Sequence, residues 1–182
     1  IVDENGYMQW IDGNIGSGVT MKYPSCILKG DNSKASSISI AYAKEGQHLD
    51  AGAKMIHLGK NTKSTIISKS IAGFGGTSDY RGTVKIAKEA TGSFATIKCD
   101  NIILDNISSS NTYPKNIVEN NESTLEHEAT ISKINEEKLN YLMSLGISED
   151  AAKDLYVLGF MSDLKKSLPM EYAVELNRLI KE

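Results

Sequence analysis

Gly30-Asp31-Asn32-Ser33-Lys34-Ala35-Ser36 and Gly59-Lys60-Asn61-Thr62-Lys63-Ser64-Thr65 are two versions of one passage, a polar turn running into the start of a strand. Gly and Asn accommodate positive φ, while Asp and Ser bond to nearby backbone, so each four-residue head reads as a turn. Asp105-Asn106-Ile107-Ser108 and Glu119-Asn120-Asn121-Glu122 are turns of the same kind. Between them lie runs of Ile, Val, Thr and Tyr with period-two alternation, at 19–28, 36–42, 54–58, 64–71, 83–87, 94–104 and 124–134. Such a degenerate repeat predicts a solenoid, whose short rungs pair through their backbones and fill the interior with small apolar residues. A β-sandwich is the competing architecture, and the residues alone leave both open.

The period changes near Asn135. Leu139, Leu142 and Met143 share one face at helical spacing, and Gly146 ends that helix. Ser148 is placed to cap the next helix, with Glu149 and Asp150 in its positive first turn. Ala152, Leu155, Tyr156 and Phe160 supply that helix's apolar face. Leu168-Pro169 breaks it, and Pro169 begins a third helix through Tyr172, Val174, Leu176 and Leu179. Three short helices are marginal alone, so their stripes must pack together, on the β part or on a partner. The expected division is a β core over 1–134 and a helical domain over 135–182.

Composition narrows the function. The chain has 182 residues, 20 Lys and Arg against 23 Asp and Glu, and a formal charge of −3. No basic patch surrounds its single tryptophan, Trp10, which argues against nucleic-acid binding. Two cysteines, Cys26 and Cys99, are too few for a secreted disulfide scaffold and read as reduced thiols. No stretch resembles a signal peptide or a membrane span, so the cytoplasm is the expected location. The start at Ile1, without an initiator methionine, reads as that of a fragment. Gly73-Phe74-Gly75-Gly76 lacks the Gly-Lys-Ser or Gly-Lys-Thr of a phosphate loop, so no direct ATP binding is expected.

Cys99 and Glu126-His127-Glu128 combine a thiol, an imidazole and two carboxylates on strand-like segments. Such groups can ligate a transition metal or handle sulfur. In an extended strand Glu126 and Glu128 share one face and His127 opposes them, so the three cannot all converge on Cys99. Lys98 points away from Cys99 on its own strand. Taken singly, Cys99 reads equally as a small buried hydrophobe, and the acidic run as a solvated edge. His48 and His57 have no zinc-motif spacing and read as hydrogen-bonded structural residues. Cys26 reads as core.

Val19-Thr20-Met21-Lys22-Tyr23-Pro24, Ala43-Lys44-Glu45-Gly46-Gln47-His48, Asp50-Ala51-Gly52-Ala53-Lys54-Met55-Ile56-His57, Asp79-Tyr80-Arg81-Gly82, Glu126-His127-Glu128-Ala129-Thr130 and Leu168-Pro169-Met170-Glu171-Tyr172-Ala173 occur in that order. Together they resemble the C-terminal portion of the SufB branch of the SufB/SufD family of iron–sulfur assembly scaffolds. SufD resembles SufB but lacks the cysteine matched by Cys99 and the Glu-His-Glu run, and a SufD-like structural subunit is the alternative. Leu49, where the family commonly shows a polar residue, is a departure, and the family's short glycine-containing tail would lie beyond Glu182. The resemblance implies a mainly β protein, a right-handed parallel β-helix followed by a small C-terminal helical domain. It implies a non-enzymatic scaffold on which a transient iron–sulfur cluster forms, with Cys99 as sulfur acceptor or cluster ligand and Glu128 as iron ligand. Glu126 and His127 stand beside them, and partners must complete the ligand set. The implied partners are the SufC ATPase through the helical region, SufD or a second SufB through the β-helix, and sulfur donor proteins. Leu155, Tyr156 and Phe160 are the expected ATPase-binding residues, Phe160 foremost. A bacterial cytosol is implied, with a plastid as the alternative.

Overall fold

The computed structural model describes residues 1–162 and 168–181; 163–167 and Glu182, parts of the expected helical domain, lie outside them. Eleven strands come first: β1 (Tyr7–Ile15), β2 (Val19–Lys22), β3 (Ser25–Leu28), β4 (Lys34–Ala43), β5 (His48–His57), β6 (Lys63–Ala72), β7 (Thr77–Ile86), β8 (Phe94–Ile103), β9 (Ser109–Thr112), β10 (Lys115–Val118) and β11 (Thr124–Lys133). Helices α1 (Glu136–Ser144), α2 (Glu149–Phe160) and α3 (Met170–Lys181) follow. All the strand pairs are parallel. One sheet runs β1-β4-β6-β8-β11, the other β10-β7-β5-β2, with β3 also on β5 and β9 on β7. The chain alternates between the sheets and so winds a β-solenoid of about 4 turns. The sandwich alternative is thereby removed.

Successive rungs of the first sheet are offset by 27, 29, 31 and 30 residues. The two opening turns stack directly: Asn32 N donates to the Lys60 carbonyl, and Asn32 and Asn61 both take φ near +55°. Gly59 is required there by close approach, since a Cβ would lie 2.4 Å from the Gly30 carbonyl oxygen. The strand reading missed β1, β9 and β10 and shortened β5 and β7. Gly52 and Asp50 in β5, and Gly82 and Asp79 in β7, are poor strand formers that hide the alternation. Their outward neighbours supply the compensation. Arg81 clamps Asp50 with bonds of 2.8–2.9 Å and stacks on Tyr113, while Asp79 receives Asn111 at 2.8 Å and His48 at 3.0 Å.

Alternation sorts the long strands of the first sheet into two faces. Ala35, Ser37, Ser39 and Ala41 point inward, with Ile66, Ala95 and Ile97 from neighbouring rungs. Ile38, Ile40, Tyr42, Ile71 and Ile102 point outward and form a second core with Val157 and Met161 of the α2 region and Leu176 of α3. The helices therefore lie along the flank of the solenoid. Asn135 caps α1 by accepting from Lys138 N at 2.9 Å, Ser148 caps α2, and Gly146 follows α1 with φ +85°.

His57 is wholly buried, its Nδ1 2.7 Å from Thr62 Oγ1 and its Nε2 2.8 Å from Ser64 Oγ. Burial lowers its pKa from 6.5 to about 4. The unfolded chain takes up this proton below pH 6.5, whereas the folded chain refuses it until about pH 4. The neutral ring's contribution is thus complete above pH 6.5 and lost progressively between those values, by about 1.4 kcal/mol per pH unit at most. Urea unfolding of the wild type is expected to weaken between pH 7 and 4.5 more steeply than that of His57→Gln. Equal slopes would show that His57 plays no part.

Candidate functional site

Cys99 stands on β8 with no exposed surface, inside the solenoid. Burial, reinforced by Asp100, pushes its thiol up to about 12, so it is protonated at neutral pH. Across the rungs it belongs to the ladder Asp12–Ser39–Ser68–Cys99–Ala129. The adjoining inward ladder is Asn14–Ala41–Ser70–Asn101–Ile131. Along these two ladders the wall is small-sided and partly polar, while Cys99 itself joins the apolar interior cluster that includes Ile66 and Ile97.

The opposite wall comes from β7 and β9. A Cβ on Gly82 would lie 3.6 Å from Tyr80 Cε1 and 3.7 Å from Ile97 Cγ2, so Gly82 sits across from Ile97. Further along, Asn101 Nδ2 donates across the interior to Thr112 Oγ1 at 2.9 Å, and Thr112 is the rung neighbour of Tyr80. Tyr80, the inward neighbour of Gly82 on β7, lies one rung from the Asn101–Thr112 bond. Tyr80 is 1% exposed, and its hydroxyl pKa is raised far above the ordinary value, by burial first and then by the charges of Cys99 and Asp12.

Buried polar atoms normally find partners. Here Asp12 Oδ1, Ser78 Oγ, Tyr80 OH, Asn101 Oδ1, Ser110 Oγ and His127 Nε2 have no hydrogen-bond partner among the described residues. Sequence reasoning did not single out Tyr80 or Asn101. Asp79-Tyr80-Arg81-Gly82 and Ile97-Lys98-Cys99-Asp100-Asn101 held the signal, since alternation puts Tyr80 and Asn101 on the inward faces.

The remaining expected site residues divide by strand face. Glu128 pairs in register with Lys98 and lies 3.5 Å from its Nζ on the outer surface, an exposed contact of small energetic weight. Glu126 is likewise outward and exposed. His127 points inward beside Ile97, where its Nδ1 lies 3.0 Å from Asn116 Nδ2, and burial lowers its pKa. The structure thus brings His127 to the interior side with Cys99 and leaves Glu126 and Glu128 on the opposite face of β11. No group of three or more His, Cys, Asp or Glu side chains is arranged to hold a metal among the described residues. Cys26 is buried in the interior core on the other sheet.

On the flank, Leu155 is 48% exposed and borders a groove of about 670 Å³ together with Tyr141, Leu142 and Tyr156. Phe160 is half-buried. Lys69 Nζ sits 4.8 Å from its ring centroid and donates to its carbonyl at 2.8 Å, tying this residue to the solenoid. No helix among the described residues is long and apolar enough to cross a membrane.

The fold is thus a parallel solenoid with a thiol sealed in its interior. Residues 1–160 match the family described as SUF system FeS cluster assembly, SufBD core domain, and the chain belongs to that family. It is 56% identical over 181 residues to the iron–sulfur cluster assembly protein SufB of Bacillus subtilis, covering 100% of this chain and 39% of that protein. It is 57% identical over 180 residues to an iron–sulfur cluster assembly SufBD family protein of Staphylococcus epidermidis, covering 99% and 39% respectively. The chain thus spans about two fifths of the length of these curated relatives.

Proposed function

We propose that this chain is the cluster-building portion of a SufB-type scaffold, on which nascent iron–sulfur clusters form before passing to acceptor proteins. One observation carries the reading. In a chain of the SufBD core family, a wholly buried thiol on β8 pairs in register with β11, the strand that carries Glu126, His127 and Glu128. Cys99 accepts sulfur or ligates the cluster as a thiolate, a soft donor suited to iron. Glu128 offers iron a hard oxygen ligand from the outer face of the terminal rung, with Glu126 supporting it and His127 approaching from the interior side. These groups leave opposite faces of the sheet, so sulfide and a second scaffold subunit, SufD or another SufB, complete the ligand set. Sulfur arrives from donor proteins. SufC supplies ATP hydrolysis and engages the helical region over 135–182, beside the β core of 1–134. The assembly works in a bacterial cytoplasm.

A SufD-like structural role is the second reading, and the complete burial of Cys99 favours it. The two readings part at Glu128. Glu128→Gln keeps the side chain's volume and removes its anionic oxygen pair. In the complete complex it is expected to lower iron retention and cluster yield severalfold while SufC association stays unchanged. Normal iron content with failed SufC binding would instead place Glu128 at an interface.

A further inference from the structure

Ser78 Oγ, Ser110 Oγ and Asn101 Oδ1 are buried polar atoms without a partner among the described residues, and the topology gathers them at one corner of the interior. Ser78 and Ser110 are rung neighbours on β7 and β9, and both take buried, inward positions of the strand alternation. Paired strands stand about 4.8 Å apart, so the two hydroxyls share one stretch of wall. Asn101 comes from the other sheet. Its amide crosses the interior to Thr112 Oγ1 at 2.9 Å, and Thr112 stands two residues beyond Ser110 on the same face of β9.

A second contact sets the level of the facing walls. Leu49 packs in one cluster with Ala41 and Ala43. Leu49, Ser78 and Ser110 form one ladder, and Ala41, Ser70 and Asn101 form a ladder facing it. One rung on from Leu49, Ser78 therefore meets Ser70 and Ala72, and a further rung on Ser110 meets Asn101. Backbone pairing holds the rungs at one spacing, so the volume that Leu49 fills in its own rung is left over around the smaller Ser78. Buried water needs that kind of room together with two to four polar partners. We infer that this corner is a built hydration site, holding an ordered water that donates to Asn101 Oδ1 and bonds to the Ser78 and Ser110 hydroxyls. Asn101 Oδ1 can only accept, whereas each hydroxyl can donate or accept, so the three are compatible with one bridging molecule. The water ties β7 and β9 to β8 beside the direct Asn101–Thr112 bond, joining the two sheets through the interior.

The test is a crystal structure of the full chain at a resolution that shows ordered water, joined to thermal melts of Ser78→Ala and Ser110→Ala. A water peak within hydrogen-bond distance of Asn101 Oδ1 and of at least one of the two hydroxyls is expected. Each alanine variant is expected to melt about 2–4 °C lower, because each removes a bond that the water completes. Hydroxyls that were merely orphaned predict the opposite sign, since deleting an unsatisfied buried group relieves a deficit. A corner without a water peak overturns the proposal, as does a direct Ser78–Ser110 hydroxyl bond in its place. So does a melting temperature that holds or rises in either variant.

Discussion

A complete assembly complex carrying Cys99→Ala is expected to form normally and to build no cluster. The side chain is small and wholly buried, so its removal leaves a cavity costing about 1–2 kcal/mol. Against the 5–15 kcal/mol typical of a folded domain, roughly, that is tolerable. The chemical loss has no such cushion, because the other thiol, Cys26, lies on the opposite sheet. Cys26→Ala is the matched control. It removes a thiol of similar burial from the opposite sheet, beside Met55, and is expected to retain full cluster yield. Iron and acid-labile sulfide measured after reconstitution decide the matter, and a normal cluster from Cys99→Ala with wild-type partners would leave the structural-subunit reading in possession.

The second large effect concerns the helices. If the β core over 1–134 and the helical domain were independent, a chain ending before Asn135 would lose ATPase binding and keep its β part folded. The geometry gives a different outcome. Such a chain would uncover Ile38, Ile40, Tyr42, Ile71, Ile102 and Leu104, which form one core with the helices. At about 1.5–3 kcal/mol for each buried side chain, their exposure forfeits on the order of 10 kcal/mol of gross stabilisation. Residues 1–134 are therefore expected to self-associate or unfold, visible as early elution in size exclusion and lost thermal cooperativity. A monomeric, cooperatively melting fragment would refute this. Partner binding is better probed at Leu155, which is half exposed on the groove. Leu155→Glu is expected to weaken SufC association at least tenfold without moving the melting temperature. Phe160, tied down by Lys69, reports on the junction instead.

The solenoid was legible where its turns repeat, because Gly30-Asp31-Asn32-Ser33 and Gly59-Lys60-Asn61-Thr62 each need the same backbone conformation at the same corner. The helix boundaries were legible for a similar reason: Asn135, Ser148 and Gly146 act through bonds to residues only a few positions away. What escaped depends on neighbours some thirty residues distant. Asp50 reads as a strand breaker until Arg81 arrives from the next rung, and Asp79 until His48 and Asn111 do. The candidate site shows both sides. Alternation alone puts Glu126 and Glu128 opposite His127, as found. The bond from Asn101 to Thr112 follows from how two sheets meet, a distance relation no local pattern carries.

In a stack where each rung is held chiefly by the rungs on either side, melting begins at the ends. β11 has a strand on one edge only among the described residues, and it is the last long rung above the Cys99 ladder. Fraying of β11 therefore loosens the wall of the interior beside Cys99. Amide exchange should grade accordingly, fastest along β11 and slowest through β6. A protein that grips the terminal strand thereby also meters how often the sulfur beneath it meets solvent.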